Sequence, residues 1–249
     1  MTNMAIGLLK LVLKFLFFST TFLFFVKNVA AQESFESRAL VVPSQEAIIS
    51  SEIAARIDSV GVKEMDRFQK GDLLIQFDCS LYEAQKDVVS SNANSALIKL
   101  KSDEQMLQMR SIGKYELELS KSEFEKAKAE LHIAELNVER CTINAPFDGA
   151  VEEVLINAYE GVQPQVELMK IIQTDVLELE MVVSSEWISW LTIGHPVKVF
   201  IDEIQKEFNA SISGIGANVD AVSQTIQLKG TITDVSPALL PGMSGRVIF

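Results

Sequence analysis

Apolar positions recur in this chain at a constant offset of 94 positions, the difference between residue numbers 60 and 154. Two stretches with the same short-strand pattern lie on either side of a long charged segment, and Asp66 and Glu160 keep the same offset. Self-similarity at a fixed offset indicates duplicated structure. The sequence therefore predicts one small β module built from two separated halves, residues 47–79 and 141–173. The paired apolar positions are Val60 and Val154, Val62 and Ile156, Phe68 and Val162, Leu74 and Leu168, Ile75 and Met169, and Phe77 and Ile171.

The segment between the halves, residues 80–140, predicts two helices. It contains no proline, and Gly113 is its one glycine. Apolar and small residues recur at alternating spacings of three and four, which is the a/d pattern of a narrow helical seam. We expect two arms of about 40 Å each at 1.5 Å per residue, packed as an antiparallel coiled-coil hairpin; the alternative is two helices folded onto a globular core. The seam residues are Leu117, Ser120, Phe124, Ala127, Leu131, Ala134 and Val138 in the second arm, and Tyr82, Val89, Ala93, Ala96, Leu100 and Leu107 in the first.

Short β-forming runs separated by turn residues follow the second half of the module. They predict strands over residues 177–183, 196–201, 210–215, 225–233 and 246–249, and a helical turn over 185–191. Residues 174–249 are therefore predicted to form a small antiparallel barrel or sandwich, and residues 32–46 a separate N-terminal strand segment. The predicted fold class is α+β: mostly β, with a split β module, a long α-helical coiled-coil hairpin and a small antiparallel β-barrel.

The N-terminal residues predict an export signal. Two lysines precede an apolar run over residues 15–26, and Val-Ala-Ala follows at positions 29–31. This order is typical of a secretory signal peptide over residues 1–31, cut after Ala31. The alternative is an uncleaved membrane anchor, because the apolar stretch is long enough to span a bilayer if the lysines lie at the interface.

The charge of the chain narrows the classes of partner. The formal net charge is −12 at pH 7, whereas binding to a phosphate backbone requires a basic surface. No nucleic-acid partner is expected. An acidic surface on an exported protein favours solubility.

Three parts of the sequence resemble the periplasmic adaptor proteins, also called membrane fusion proteins, of tripartite efflux and secretion systems of Gram-negative bacteria. The first is the split module, with Thr-Ile-Asn-Ala-Pro-Phe-Asp-Gly at residues 142–149, similar to the lipoyl- or biotinyl-like domain of that family. The second is the helical hairpin over residues 80–140. The third is Leu-Pro-Gly-Met-Ser-Gly-Arg-Val at residues 240–247, which is similar to the barrel-closing motif of that family. Asp220 and residues 223–226 also resemble a barrel strand of the family.

The resemblance implies a periplasmic protein associated with the inner membrane and without enzymatic activity. It implies self-association into a ring, with six subunits expected, that bridges an inner-membrane transporter to an outer-membrane channel. A transporter of the RND class is favoured, and an adaptor for an ATP-driven (ABC-type) exporter is the alternative. An uncleaved N-terminus favours the ATP-driven class, whose adaptors often keep a membrane helix.

The resemblance also places a channel contact at the hairpin tip. The tip departs from the family pattern, which more often has a serine where Gly113 stands. A second departure is that the chain stops after the Gly-Arg-Val motif, so the family's membrane-proximal domain is expected to be absent, either because this is a short-type adaptor or because the gene is truncated. The expected tip residues are Arg110, Ser111, Ile112, Gly113, Lys114 and Leu117.

Candidate chemistry in the sequence is sparse. Glu-Leu-Met-Lys at residues 167–170 superficially resembles a biotin attachment site, but a carrier lysine belongs at the tip of the turn joining the two β halves, and Lys170 falls in a strand-like run. A biotinyl or lipoyl carrier is the third, disfavoured function. No catalytic residues and no cofactor are expected.

The only two cysteines, Cys79 and Cys141, flank the hairpin at its base. An oxidising periplasm permits a disulfide between them, and two free thiols are the alternative, because helix ends about 8–10 Å apart can exceed bridging range. His132 and His195 show no spacing that supports a ligand cluster with these cysteines. No metal site is expected.

Overall fold

The computed structural model of the 249-residue chain describes residues 35–249. The predicted signal peptide over residues 1–31 lies outside the described residues. Fourteen strands, two α-helices and one 3₁₀ helix follow in order within residues 36–248. They are β1 Glu36–Pro43, β2 Glu46–Ser50, β3 Ala55–Val60, β4 Arg67–Phe68, β5 Leu73–Phe77, α1 Ser80–Gln108, α2 Lys114–Glu139, β6 Thr142–Asn144, β7 Gly149–Val154, β8 Gly161–Val162, β9 Glu167–Gln173, β10 Leu177–Ser184, the 3₁₀ helix Ser185–Ser189, β11 Pro196–Ile201, β12 Lys206–Ile215, β13 Thr225–Ile232 and β14 Ser244–Ile248.

Six strands close into an antiparallel barrel in the order β1-β10-β13-β12-β11-β14. Alternate residues of each strand face the interior, as the two-residue period of a strand requires. On β10, for example, Leu177, Leu179, Met181 and Val183 are buried, whereas Val182 is exposed. The prediction of a small antiparallel barrel at the C-terminal end of the chain is confirmed.

The first strand of the described chain belongs to this barrel. Residues 39–43 of β1 pair with β10, and residues 36–40 pair with β14. Ala39 and Val41 are buried in the barrel core. The sequence predicts this strand as a separate N-terminal segment, whereas in the structure it closes the barrel between two C-terminal strands.

The remaining eight strands form a split β module of two four-stranded sheets, ordered β2-β9-β7-β4 and β6-β5-β3-β8. Each sheet takes strands from both halves of the chain, on either side of the helices. Adding 94 to the residue numbers of β3 and β4 gives the bounds of β7 and β8, and β5 and β9 begin at the same offset. Four of the six apolar pairs identified in the sequence are buried at both positions. The predicted duplication is therefore present in the backbone.

The repeat extends to individual hydrogen bonds. Lys63 N–H donates to the Asp66 carboxylate at 2.8 Å, and Asn157 N–H donates to the Glu160 carboxylate at 3.1 Å. Each bond closes a turn in which the residue before the carboxylate has positive φ, 69° in one turn and 70° in the other. The shared offset of Asp66 and Glu160 thus reflects two equivalent turns.

The two helices have 29 and 26 residues and pack against each other. Ahead of α1, the Asp78 carboxylate accepts hydrogen bonds from the Ser80 hydroxyl at 2.8 Å and the Ser80 N–H at 3.2 Å. These bonds, together with Arg56 at 2.8 Å, hold the pKa of Asp78 below its ordinary value. Neither helix, nor any other in residues 35–249, combines the length and apolar character needed to cross a membrane.

Candidate functional site: the helical pair, its base and its tip

The base of the helical pair is covalently closed. Cys79 and Cys141 form a disulfide between the residue before α1 and the residue before β6, with Cα atoms 5.8 Å apart and a sequence separation of 62. Both helix ends are thereby fixed to the β module, and both cysteines contact its core. Closing a loop of this length lowers the entropy of the unfolded chain, which corresponds to about 4 kcal/mol in the loop-entropy model.

Polar contacts surround the disulfide. Arg140, after the last turn of α2, pairs with Glu52 of the module at 2.9 Å. On the other helix, the Tyr82 hydroxyl donates to the Ala54 carbonyl at 3.2 Å. Exposed ion pairs contribute roughly 0–1 kcal/mol each, so these contacts orient the helices at the base more than they stabilise them.

Above the base, the contact between the helices is a narrow seam. In α2 the seven predicted seam residues are buried or half-buried, and apart from Asn137 every other residue of the helix is exposed. In α1 the six predicted seam residues are also buried or half-buried. A helix that packs on a globular core has a wider apolar stripe. The helices therefore pack mainly on each other, with only their basal ends against the β module.

The seam contains one acidic residue that the apolar sequence pattern does not predict. Asp103 lies four residues before Leu107, on the seam row of α1, and its Oδ2 atom is buried without a hydrogen-bond partner among the described residues. Nearby, Lys99 donates to Glu123 of α2 at 2.6 Å, and this bond raises the pKa of Lys99, with a smaller contribution from the negative charge of Asp103. The four-residue spacing from Leu107 places Asp103 on the seam, but the a/d pattern selects apolar residues and therefore passes over a charged one.

The tip of the pair is a tight turn between the helices. Ser111 N–H donates to the Met106 carbonyl at 2.8 Å, and Arg110 adopts positive φ, 57°. Of the predicted tip residues, Ile112 and Leu117 are half-buried, and the other four are exposed. Two large side chains outside the predicted set, Met109 and Tyr115, are 69% and 83% exposed. The predicted residues therefore lie on the turn and on the first residues of α2, beside two further large side chains.

One flank of the helical pair carries an apolar groove near the base. It encloses about 500 Å³ between α1 and α2. Leu81, Val88 and Ile133 line it, and each is more than half exposed. Large apolar side chains grouped on a surface are typical of an interaction site.

Lys170 does not occupy a carrier position. It lies within β9 rather than in a turn, and its Nζ atom is 2.9 Å from the Glu153 carboxylate of the neighbouring strand β7. The hydrogen bond to Glu153 raises the pKa of Lys170. The turn that would present a carrier lysine is replaced by the helical pair.

The two histidines lie apart, each with a local contact. His132 is 3.8 Å from Glu135 on α2, and His195 packs edge-on against Trp190 of the barrel at 5.5 Å between ring centroids. Within residues 35–249, no three His, Cys, Asp or Glu side chains are grouped closely enough to hold a metal ion.

Comparisons with known proteins identify a relative in sequence and several solved structures of similar fold. No protein-family model matches the chain. An uncharacterized protein of Haemophilus influenzae is 23% identical over 210 residues, which cover 84% of this chain and 55% of that protein. The chain thus spans about half the length of this curated relative.

Solved structures share the fold more clearly. A putative efflux transporter from Bacteroides eggerthii has a TM-score of 0.73 at 20% identity, covering 86% of this chain and 67% of its own. A MacA–MexA chimera carrying the α-hairpin domain of Pseudomonas aeruginosa MexA also has a TM-score of 0.73, at 17% identity, over 86% of this chain and 79% of its own. The membrane fusion protein Spr0693 from Streptococcus pneumoniae R6 has a TM-score of 0.69 at 17% identity, over 87% of this chain and 99% of its own. The chain therefore has the fold of the membrane fusion, or periplasmic adaptor, proteins that its sequence resembles.

Proposed function

We propose that this protein is a periplasmic adaptor of a tripartite export system, joining an inner-membrane transporter to an outer-membrane channel. The observation that carries the proposal is the pair of helices that leaves a β module through a disulfide-closed base, in a fold shared with membrane fusion proteins. A spacer needs a rigid element that extends away from its support. The role is scaffolding, without catalysis.

The seam supports a coiled-coil hairpin as that rigid element. Its residues alternate at spacings of three and four, and the other faces of both helices are largely exposed. Helices that do not pack on the β module are free to extend from it, by about 40 Å for 26 residues at 1.5 Å per residue. The split module then acts as the lipoyl-like support.

The tip is the proposed contact with the outer-membrane channel. It is the part of the helical pair farthest along the chain from the base, and four of its predicted residues are exposed. Gly113 stands where the family more often has serine, so the contact is expected to rest on the neighbouring side chains. Met109 and Tyr115 add exposed apolar area beside it.

Site-directed crosslinking tests the channel contact. The Ser111→Cys variant places a thiol on the exposed tip, while the native cysteines are bonded to each other. Lys128→Cys is the matched control, since Lys128 is exposed near the middle of α2. In cells, we expect a thiol-reactive crosslinker to join the tip variant, but not the control, to an outer-membrane protein. Equal adducts from both variants, or tip adducts with inner-membrane proteins alone, would count against the proposal.

The transporter class and the ring are further parts of the proposal. We favour an RND-type transporter and a ring of six copies, with an ABC-type exporter as the alternative. The apolar groove on the hairpin flank offers a surface for contact between neighbouring copies. N-terminal sequencing of the protein from cells separates the classes: a cut after Ala31 fits the first, and an intact N-terminus fits the second.

A further inference from the structure

A cluster of apolar residues occupies one end of the barrel. At this end β1, β11 and β13 begin and β10, β12 and β14 end. The cluster is built from the 3₁₀ helix after β10, the loop that leads to β11, the loop before β13 and the last residue of the chain. We call it the aromatic end; its residues are Trp187, Ile188, Trp190, Ile193, Val222 and Phe249.

The three aromatic residues of the cluster have a packing role. The Trp187 ring lies 5.1 Å from that of Phe249 in an edge-to-face arrangement and 5.9 Å from that of Trp190. All three are half-buried against the barrel core. They close this end of the barrel, as aromatic side chains with large buried area do.

The aliphatic residues of the cluster point into solvent instead. Ile193 is 69% exposed and Val222 is 96% exposed, and Ile188 is also exposed. The turn that presents Val222 is ordered by Asp220, whose carboxylate accepts hydrogen bonds from Val222 N–H at 2.9 Å and Ser223 N–H at 2.8 Å. Closing the barrel does not require these exposed side chains. A group of exposed apolar side chains is typical of a surface that contacts another molecule or a membrane.

The opposite end of the barrel has a different character. Asp175, Glu203 and Asp234 are exposed there, between strands that end or begin next to the split module. Glu203 is engaged in structure, since its carboxylate accepts from Ser244 N–H at 2.9 Å, which lowers the pKa of Glu203. Both ends thus carry exposed acidic side chains, and the aromatic end adds the two tryptophans, Phe249 and the exposed aliphatic side chains.

The described chain also begins at the aromatic end. Glu36 of β1 pairs with Ile248 of β14 there. Residues 27–35 separate Glu36 from the apolar run over residues 15–26. When extended, these residues span at most about 30 Å. If the N-terminus stays in the membrane, this end of the barrel is held within that distance of the bilayer.

We propose that the aromatic end docks on the surface of a lipid bilayer with neutral headgroups. Tryptophan beside exposed aliphatic residues is the composition found at membrane–water interfaces. Acidic residues around the cluster, Glu36, Glu186 and Asp220, favour neutral over anionic headgroups. The proposal goes beyond the bridging function and does not depend on it, because no residue of the helical pair takes part.

Tryptophan fluorescence tests the docking directly. Trp187 and Trp190 are the only two tryptophans of the chain, so the emission reports on this end alone. The full chain is incorporated into phosphatidylcholine vesicles, with or without bromine on the upper acyl chains, and the two emissions are compared. We expect the brominated lipid to quench the tryptophan emission of the wild-type chain.

Substitutions at the exposed positions separate docking from simple anchoring. The double variant Ile193→Asp/Val222→Asp is expected to lose most of the quenching, because each carboxylate opposes burial in the interface. Leu240→Asp, at an exposed position on the opposite end, is the control and should be quenched as the wild type is. The proposal is overturned if the wild-type chain floats with the vesicles and brominated lipid leaves its tryptophan emission unchanged. A protein partner is then the remaining occupant of this surface.

Quenching of the double variant equal to that of the wild type also overturns the proposal, since the N-terminal run alone then holds the barrel near lipid. Either result leaves the crosslinking test at Ser111 unaffected. Failure of docking and failure of the bridging function are therefore distinguishable.

Discussion

At the scale of single residues, Gly149 shows how closely the split module is packed. It begins β7, and a Cβ atom there would collide with the Ile172 carbonyl oxygen of β9 and lie 3.1 Å from the Phe68 ring. The carbonyl belongs to a paired strand and cannot move without breaking its ladder. The close approach of β7 and β9 therefore requires glycine at this position.

Gly149→Ala should lower the free energy of unfolding by about 1–3 kcal/mol, the usual range for overpacking a core. Gly161→Ala is the matched control: Gly161 begins the short strand β8, and a Cβ atom there meets nothing within 4 Å. The control should be neutral or stabilising by up to about 1 kcal/mol, because alanine restricts the unfolded chain. Urea unfolding of both variants measures the difference, and equal effects would show that the collision is relieved at little cost.

At the scale of elements, two substitutions in α1 distinguish the contribution of burial in the helical seam from that of helix propensity. Leu100 of α1 is 9% exposed in the seam, whereas Ile98, two residues earlier, is 61% exposed. Leu100→Ala should destabilise the protein by about 2–5 kcal/mol, and Ile98→Ala should change stability by no more than about 0.5 kcal/mol. Thermal unfolding followed by helical circular dichroism at 222 nm measures both. A similar loss for the two variants would mean that the helices do not pack through this seam.

The elements with a clear period were predictable from the sequence. The bounds of β11 match the strand predicted over residues 196–201, and both helices lie within the segment predicted over residues 80–140. The repeat at the 94-position offset was predictable because duplicated strands bury the same positions, so Leu74 and Leu168 must both be apolar. These signals are local, or are repeated copies of a local signal.

The features that were missed depend on contacts distant in sequence. β1 was identified as β-forming, but its place between β10 and β14 follows from pairing with residues more than a hundred positions away. Asp103 breaks the seam pattern with a charge, and only the packed helices show that one oxygen of its carboxylate is buried. The aromatic end joins loops that are separate in the sequence, so no single motif marks it.

At the scale of the whole described chain, the repeat explains how the split module supports two attachments. The chain leaves the module after β5 for the helices and after β9 for the barrel, and these exits are equivalent strands of the repeat. The helical exit is closed by the Cys79–Cys141 disulfide. At the barrel exit, Gln173 N–H donates to the Gln45 carbonyl at 2.8 Å, without a covalent link. One duplicated exit is therefore cross-linked and the other is held by hydrogen bonds.

The barrel and the split module are joined by two chain segments, and we expect them to unfold as separate units. Each has its own buried cluster, and proteins with several cores commonly depart from two-state unfolding. Leu179 of the barrel and Leu74 of the module are both fully buried, so their alanine variants remove the same side chain from different cores. Each should cost about 2–5 kcal/mol in its own unit and lower the transition of that unit alone by about 10 °C or more, at 4–8 °C per kcal/mol for a unit of this size.

Scanning calorimetry of the wild type and the two variants tests this independence. We expect two transitions in the wild type, one of which moves down with Leu179→Ala and the other with Leu74→Ala. A single transition that both variants lower equally would mean that the barrel and the module share one cooperative core. In that case the hydrogen-bonded exit at Gln173 would be as rigid as the disulfide-closed one, and the barrel, the module and the base of the helices would move as one body.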